Sequence, residues 1–529
     1  MNRNVLAVVF ILLCVSGLAC PALAFLNVRV NSDNSGQLHN EEQIVVNPLD
    51  SNNVVAVWRD FRLGYRRIGA GYSLDGGRTW HDTLLEDSHY PWHSDPGLTV
   101  DVNGNFYVVI LSYTSTSQPN GLYVQTSTDG GRTWGPSVTV VVEHNPSYFE
   151  DKELFACDRG DSSQYRGNLY VAWARFYATD IMLCRSTDTN QTWSLPTMVS
   201  DGSASRQWPT PAVGPDGSVY VAWSDFSQMA IMLDKSTNGG VTWGADRVLQ
   251  NVTFGSGYVQ PSVTVFSFPA LDVDVTGGPH RGWLHCAYMD DAVSGGGTDI
   301  YFTRSTDGGA TWSTRLKIND DPDAGKDHFH PWLCVDRNGD ITVTWYDRRD
   351  DPSNMLMHIY LTQSYDGGTT WTPNLRVTTV SSDPNIFPAL DEYRPGQPRP
   401  FAGRLGEYNG LWAVSRDRIF AMWADTRDGS PNIYAGIDST VSAVAGPGPK
   451  QLSRLNASPN PFSGRVTIAG ASGPIRIYSP DGRLLRTLTP PASAVPTPSF
   501  TSDCSSLPAG VYLARGGAGS TSLRLVKAR

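Results

Sequence analysis

The sequence predicts an all-β protein built from repeated antiparallel sheets and followed by a small C-terminal β-sandwich. Its 529 residues include 51 glycines, 35 prolines and 11% aromatic residues, a composition typical of many short strands joined by turns. An octapeptide recurs six times along the chain. Segments of alternating apolar and polar residues lie near each copy, as expected of half-buried strands.

The octapeptide has the form Ser-x-Asp-x-Gly-x-Thr-Trp, as in Ser73–Trp80. Its aspartate can accept hydrogen bonds from the backbone of its own turn, its glycine permits a positive φ, and its tryptophan can pack inward. We therefore expect six rigid hairpin turns, spaced 50 to 69 residues apart. Their third-position residues are Asp75, Asp129, Asp188, Asn238, Asp307 and Asp366.

Three candidate strands precede each octapeptide, and a fourth follows it. Examples are an apolar innermost strand at Leu98–Val102, a second strand ending in an aromatic residue at Val54–Trp58, and a third at Ile300–Thr303. Four such strands form one blade of a β-propeller. The pair of second and third strands occurs seven times, and the seventh pair, Arg418–Trp423 and Asn432–Ile437, lacks the octapeptide. Seven blades over residues 25–440 are therefore predicted.

The last blade lacks an outer strand downstream. Asn27–Asn31 is similar to Leu316–Asn319, which is a candidate fourth strand. We expect the N-terminal strand to complete the last blade and close the ring, which leaves no free sheet edge.

The octapeptide resembles the Asp-box, or BNR repeat, of sialidases and related propellers. That resemblance implies a turn between the third and fourth strands of a blade, on the face away from the active site. The six third-position residues are then structural rather than catalytic. Six blades, the usual count in sialidases, is the alternative to seven.

Both ends of the chain carry export features. Arg3, the apolar stretch Val5–Leu18 and Ala22-Leu23-Ala24 read as a signal peptide over residues 1–24, too short to span a bilayer. A rival interpretation makes Cys20 a lipidated cysteine. After a linker at 441–452, residues 453–529 resemble the C-terminal sorting domain of type IX secretion substrates, through Asn460-Pro461-Phe462, Tyr478–Arg483 and Ala509-Gly510-Val511-Tyr512. An ordinary small β-sandwich is the alternative.

These features imply a secreted or cell-surface protein whose C-terminal domain meets export machinery. No later segment is long enough to span a membrane. The formal net charge of −10, without a basic run, argues against nucleic acid as a partner. The thiols Cys157 and Cys184 fall on the first and third strands of one blade, roughly 9.6 Å apart, beyond disulfide reach. We therefore predict free thiols.

A candidate binding surface lies at the channel mouth, opposite the octapeptide turns. Loops there repeat an aromatic-x-Asp pattern in Trp58–Arg62, Trp223–Asp225, Trp345–Arg349 and Trp423–Arg427. One interpretation makes Asp60 and Asp347 catalytic, with Arg62, Arg348, Arg349, Asp425 and Arg427 binding substrate. The other is a set of Asp–Arg pairs that hold the ring together.

The resemblance to sialidases sharpens the first interpretation. Those enzymes use three arginines, a tyrosine nucleophile backed by a glutamate, and an aspartate as acid/base. Tyr408-Asn-Gly-Leu411 resembles the context of the nucleophile, so Tyr408 is expected at the mouth with Arg404 or Glu407 nearby. Strand alternation would point Glu407 away, leaving Asp60, Asp347 or Asp425 as the base.

Two departures from the sialidase pattern keep a second function open. The place of the family's first arginine reads Glu41-Glu42-Gln43-Ile44, and no arginine lies in Leu356–Gln363 before the last octapeptide. The protein is either a sialidase-like glycoside hydrolase acting on an extracellular glycan or glycoprotein, or a non-catalytic propeller that binds a glycan or protein at its mouth.

No cofactor is expected. Ca²⁺ is conceivable at Asp320, Asp321, Asp323 and Asp327, near His328 and His330, but a solvated acidic turn fits the loop better because no ligand register is present. Likewise, His89, His93 and Asp95 read as loop polarity in preference to a metal site.

Overall fold

The computed structural model describes residues 25–438 apart from 115–118, 177–178, 261–262, 292–295 and 387–404, and then 456–458, 463, 465–469, 475–479, 484–488, 500–503, 508, 510–515 and 522–527. The predicted signal peptide 1–24, the linker 441–452, Arg404 and Cys504 lie outside these residues. The chain divides into two compact units, Met1–Thr440 and Val441–Arg529. In the described part of the chain, no helix has the length and apolarity needed to cross a bilayer.

The first unit contains seven four-stranded antiparallel sheets. It begins with β1 (Phe25–Arg29). From the channel outwards, blades 1 to 3 are β2 (His39–Val46), β3 (Val54–Asp60), β4 (Arg67–Ser73) and β5 (His81–Leu84); β6 (Trp92–Val100), β7 (Phe106–Tyr113), β8 (Asn120–Ser127) and β9 (Val138–Glu143); and β10 (Phe149–Cys157), β11 (Leu169–Phe176), β12 (Asp180–Ser186) and β13 (Thr197–Met198).

Blade 4 is β14 (Arg206–Val213), β15 (Val219–Asp225), β16 (Ala230–Ser236) and β17 (Arg247–Asn251). A separate hairpin follows, β18 (Ser256–Val259) and β19 (Val263–Phe266). Blade 5 is β20 (Ala270–Val273), β21 (Leu284–Asp291), β22 (Thr298–Ser305) and β23 (Leu316–Lys317), and blade 6 is β24 (His328–Val335), β25 (Ile341–Asp347), β26 (His358–Ser364) and β27 (Leu375–Arg376). A 3-10 turn at Pro384–Ile386 precedes blade 7, which contains β28 (Gly410–Ser415), β29 (Arg418–Asp425) and β30 (Asn432–Asp438).

The N-terminal strand closes the ring. β1 pairs antiparallel with β30, from Phe25 opposite Asp438 to Arg29 opposite Tyr434, and so forms the outer strand of blade 7. Each innermost strand also contacts the innermost strands of both adjacent blades, including β2 with β28. The predictions of seven blades and of N-terminal closure are confirmed, and the six-bladed alternative is wrong. The closing strand begins two residues earlier than predicted.

The hairpin β18–β19 was not predicted. It lies between blades 4 and 5 and accounts for the long interval between Asn238 and Asp307. Its last residue, Phe266, packs on Trp208 with the ring centroids 4.0 Å apart, which brings the hairpin to the innermost strand of blade 4.

The octapeptide turns share one hydrogen-bond pattern. In the first, Asp75 accepts bonds from Ser73 Oγ, Thr79 N and Thr79 Oγ1 at 2.7–2.9 Å, and Trp80 Nε1 donates to Gly77 O. Asn190 takes the place of the glycine in the third copy, at φ 68°. Its side chain accepts from Trp193 Nε1 and donates to Val124 O, so local hydrogen bonds support the unusual backbone.

The core lies between blades. The tryptophan near the end of the second strand is fully buried in five blades, at Trp58, Trp173, Trp223, Trp345 and Trp423. Cys157 and Cys184 are free and buried, as predicted, since β11 separates their strands.

The second unit contains β31 (Asn456–Ser458), β32 (Arg465–Ala469), β33 (Ile475–Tyr478), β34 (Leu484–Leu488), β35 (Phe500–Asp503), β36 (Gly510–Arg515) and β37 (Ser522–Lys527). These strands form one three-stranded and one four-stranded antiparallel sheet. Val466 and Ile477, one from each sheet, are fully buried, in agreement with the expected small β-sandwich.

Candidate functional site

The innermost strands carry a repeated β-bulge near the mouth. In blades 1, 2, 3, 4 and 6, two residues bulge out of register opposite the second strand. The first of the two defines what we call the ring position. Blades 5 and 7 have no such bulge in their recorded register. Their first pairs are Ala270 with Ala287 and Gly410 with Met422, and the residues two positions before these pairs, Phe268 and Tyr408, correspond to the ring position. The seven ring positions are Glu41, Asp95, Lys152, Trp208, Phe268, His330 and Tyr408.

Five of these residues have a strained backbone. Their φ angles lie between 48° and 57°, a region that residues other than glycine rarely adopt. These residues are Glu41, Asp95, Lys152, Trp208 and His330. Each such residue costs of the order of 1–3 kcal/mol and persists where its surroundings fix it. Bulges of this kind re-aim side chains next to active sites, and here the same distortion recurs around the channel.

The ring positions of blades 1 to 3 form a polar cluster with Lys152 at its centre. We call these three positions the acidic half of the ring. Its Nζ lies 2.7 Å from Asp95 Oδ1 and 3.7 Å from Glu41 Oε1. Arg59 Nη2 lies 3.2 Å from the same Glu41 oxygen. Lys152 is 7% exposed, so these charges interact in a largely water-free environment.

Glu407 of blade 7 joins this cluster from across the ring. Its Oε2 lies 2.5 Å from Lys152 Nζ in blade 3 and accepts a 3.3 Å hydrogen bond from Trp208 Nε1 in blade 4. Side chains of non-adjacent blades therefore meet in the channel. Glu407 was expected to point away from Tyr408 and forms no hydrogen bond with its hydroxyl, but strand alternation is not the reason, because β28 begins only at Gly410.

The environments of two carboxyl groups in this cluster shift their pKa values differently. Burial raises the pKa of Glu41 well above its ordinary value, and the Asp95 and Glu407 charges raise it further against the opposing effect of Arg59 and Lys152. Burial also acts to raise the pKa of Asp95, but Lys152 and Arg59 hold it below its ordinary range. The two carboxyl groups therefore have pKa values that are shifted in opposite directions.

The ring positions of blades 4 to 7 form an aromatic half. Phe268 packs near Trp332, and Trp332 near Tyr408, each with ring centroids 6.2 Å apart. Burial lowers the pKa of His330 to about 4, so its imidazole is neutral. This half of the ring is uncharged at neutral pH.

Tyr408 lies in this aromatic half, 4% exposed. Among the described residues, none forms a hydrogen bond with its hydroxyl. Burial raises its pKa well above the ordinary value, and the charges of Glu41, Asp95 and Glu153 raise it further. Asp60, Asp347 and Asp425 thus form no hydrogen bond with Tyr408, and the described residues do not supply the adjacent base that a tyrosine nucleophile requires.

The three aspartates of the aromatic-x-Asp pattern are held within their own blades. Asp60, Asp347 and Asp425 each accept a bond of 2.6–2.8 Å from the indole two residues earlier. Each also pairs at 2.6–2.8 Å with the arginine two residues later, Arg62, Arg349 and Arg427 respectively. The structure thus places these six residues in three similar local clusters.

The remaining predicted arginine, Arg348, is fully buried. Its guanidinium lies 5.1 Å from the Phe329 ring centroid and donates to Asp327 at 3.2 Å. Arg404 lies outside the described residues.

A histidine strengthens two of the aspartate clusters. His39 Nε2 lies 3.0 Å from Asp33 and 3.4 Å from Asp60. Burial alone would lower the pKa of His39, but these two carboxylates raise it to about 9. His328 repeats the geometry, at 3.0 Å from Asp321 and 3.4 Å from Asp347. We call these groups the histidine clasps.

Metal binding finds little support in the described residues. Asp33, His39 and Asp60 are close enough to share an ion. However, His39, with a pKa of about 9, is protonated at neutral pH, and Asp60 already forms an ion pair with Arg62. The acidic residues 320–327 do not converge, since Asp321 contacts His328, Asp327 contacts Arg348 and Asp320 contacts Arg349. Asp95 binds Lys152, whereas His89 lies 2.6 Å from Asp87.

Sequence reasoning missed the ring positions of blades 1 to 3. One signal could have found part of the ring, because an x-Pro dipeptide recurs near the start of four innermost strands: Asp95-Pro96, Trp208-Pro209, Phe268-Pro269 and His330-Pro331. The first residue of each is a ring position.

Residues 167–394 match the model of the BNR repeat-like domain, and no curated protein sequence matches the chain. Similar solved structures include a protein of unknown function from Dyadobacter fermentans (13% identity, 79% of this chain and 99% of that one, TM-score 0.45). A second is the Penicillium chrysogenum alpha-L-arabinanase complexed with arabinobiose (13% identity, 79% of this chain and 98% of that one, TM-score 0.43). A third is a Hadza microbial sialidase (14% identity, 75% of this chain and 75% of that one, TM-score 0.42).

Proposed function

We propose that this protein is a glycoside hydrolase of extracellular glycans whose reaction centre is the acidic half of the ring. One observation carries the proposal: Glu41 and Asp95 contact the same ammonium group, Lys152, with pKa values shifted in opposite directions. When their environments shift the pKa values of two carboxyl groups in opposite directions, one group can act as the acid and the other as the base.

Hydrolysis of a glycosidic bond uses such a pair. Glu41, whose raised pKa favours the protonated form, would give its proton to the leaving oxygen as the glycosidic bond breaks. The ionised Asp95 would supply the second carboxylate, acting on the sugar carbon or on the attacking water. Lys152 would keep Asp95 ionised, and Arg59 would orient Glu41. Tyr408 has no nucleophilic role in this scheme, because no described residue forms a hydrogen bond with its hydroxyl.

The test is turnover of a panel of aryl glycosides, sialosides included, by the purified mature protein. Glu41→Gln and Asp95→Asn should each lower kcat by about 100-fold or more, with the exposed Glu86→Gln as the matched control. Melting temperatures measured alongside separate loss of chemistry from loss of fold. Full activity in both folded variants, or no turnover of any glycoside by the wild type, would overturn the proposal.

A non-catalytic role is the second candidate, and the burial of the ring favours it. The polar side chains of the ring position are nearly inaccessible, at 0% for Glu41 and 3% for Asp95, and Lys152 is fully engaged. A propeller whose channel is closed by this cluster would bind a glycan or protein partner at its mouth. Binding without turnover on the same glycans would favour this role.

We also propose that the protein is exported and delivered to the cell surface. The features that support this are those of the sequence: the signal peptide at residues 1–24 and the similarity of residues 453–529 to type IX sorting domains.

A further inference from the structure

We propose that the channel selects an uncharged glycan and rejects sugars that carry a carboxylate, such as sialic acid and uronic acids. The inference rests on the proposed function and concerns the substrate class of the same site. It follows from the division of the ring into an acidic and an aromatic half.

The acidic half has a surplus of carboxylates. In the described part of the chain, Glu41, Asp95, Glu153 and Glu407 lie near two cations, Arg59 and Lys152. A further carboxylate, Asp151, accepts a hydrogen bond from Gln207 beside this group. Burial, together with neighbouring carboxylates such as Asp95, raises the pKa of Glu41 and of Glu153, so the cluster already opposes further negative charge. An anionic substituent entering the channel would add a charge of the same sign as Asp95 in a low-dielectric environment, where repulsion is only weakly screened.

Among the described residues, the two cations of the acidic half and four arginines of the rim are already engaged with protein carboxylates. Arg59 bonds Asn40 and lies beside Glu41, and Lys152 contacts Asp95, Glu407 and Glu41. Along the rim, Arg62, Arg175, Arg349 and Arg427 each lie 2.6–2.8 Å from an acidic partner. Arg348 keeps two nitrogens without hydrogen bonds, but it is fully buried against Phe329. A bidentate clamp on a sugar carboxylate needs a cation that is free and accessible.

The aromatic half suits the apolar face of a neutral sugar ring. Trp208 packs with Phe226 and Phe266, and Phe268 with Trp332, giving the mixture of aromatic walls and few polar groups that small-molecule sites show. Within the described part of the chain, the buried hydroxyl of Tyr408 and both carboxylate oxygens of Glu153 have no hydrogen bond from another residue. These groups are available to sugar hydroxyls, which both donate and accept.

The experiment compares aryl hexosides with their matching uronides, which differ only in the C6 carboxylate, together with an aryl sialoside. We expect kcat/KM at pH 7 to be about 100-fold lower or more for each uronide than for its hexoside. Glu153→Gln should narrow that ratio about tenfold, whereas the exposed Glu86→Gln should leave it unchanged.

The outcomes distinguish this inference from the proposed function. If a sialoside or a uronide is hydrolysed about as fast as the neutral hexosides, the proposed substrate class is wrong but the hydrolase proposal stands. If no glycoside is hydrolysed but neutral oligosaccharides bind in calorimetry, with binding lost in folded Trp208→Ala, the hydrolase proposal fails and the substrate class holds. Absence of both turnover and neutral-glycan binding overturns both.

Discussion

The carboxylate of Glu407 in blade 7 lies 2.5 Å from the ammonium group of Lys152 in blade 3. These residues are 255 positions apart and belong to blades that are not adjacent. Their contact joins opposite sides of the ring and, with Asp95 and Glu41, fills the channel with paired charge. Removing one partner of such a buried group leaves the others without compensation.

We therefore predict that Lys152→Met lowers the free energy of unfolding by about 3–5 kcal/mol at pH 8. Without the ammonium, Asp95 would bind a proton more readily in the folded than in the unfolded state, so the loss should become smaller as the pH falls towards 5. Denaturant unfolding at both pH values measures this. Lys235→Met, near the surface over Tyr220, should cost about 1 kcal/mol or less. Equal losses for the two variants would contradict the central role of Lys152.

Tyr408→Phe separates two roles of the tyrosine. Its hydroxyl is buried without a partner in the described structure, so removal should leave the melting temperature unchanged or higher. We expect kcat to stay within about tenfold and KM to rise, as for a group that only binds substrate. Loss of kcat by about 100-fold or more in the folded variant would instead support a tyrosine nucleophile.

The histidine clasps predict a loss of stability in alkali. The folded pKa of His39 is about 9, above its ordinary value of 6.5, and that of His328 is also raised against the effect of burial. A raised histidine pKa contributes stability that is complete below pH 6.5 and is lost as the pH rises through 9. The melting temperature should fall over this range, and less steeply in His39→Asn, with exposed His144→Asn as the control. A flat wild-type profile would refute the prediction.

Ring closure can be tested by deletion of residues 25–31, which removes β1. We expect the melting temperature of the whole propeller to fall by roughly 5 °C or more, because β30 loses its partner and Asn27 no longer bonds Val377 O and Thr379 N. Leu26→Asn, at a site that is 46% exposed, is the control. An unchanged transition after the deletion would show that closure contributes little.

Removal of residues 441–529 tests the C-terminal unit. The propeller should melt at the same temperature, because its seven blades are complete by Asp438, but delivery to the surface of the native host should be lost. Fractionation of cells that express the full-length and truncated forms measures this. Normal surface display of the truncated form would exclude a sorting role.

The sequence was sufficient for the architecture but not for the candidate site. Octapeptides and strand pairs obey regular periodicities, so the blades could be counted and Asn27–Asn31 assigned to the last one. Lys152 and Glu41 gave no signal because they sit in bulges, where strand alternation fails. Asp60 and Arg62 stood out in the sequence, but the structure engages them with Trp58 and with each other.

The pairing of β1 with β30 also determines the order in which the protein can be completed. Residues 25–29 leave the ribosome before the other strands of the propeller, yet their partner strand ends at residue 438, so they must wait for almost the entire propeller to be synthesised. Until then β1 has no partner strand and exposes an open edge that invites wrong pairing. Contacts of such long sequence separation form slowly, which makes chaperone protection during synthesis most valuable in this interval.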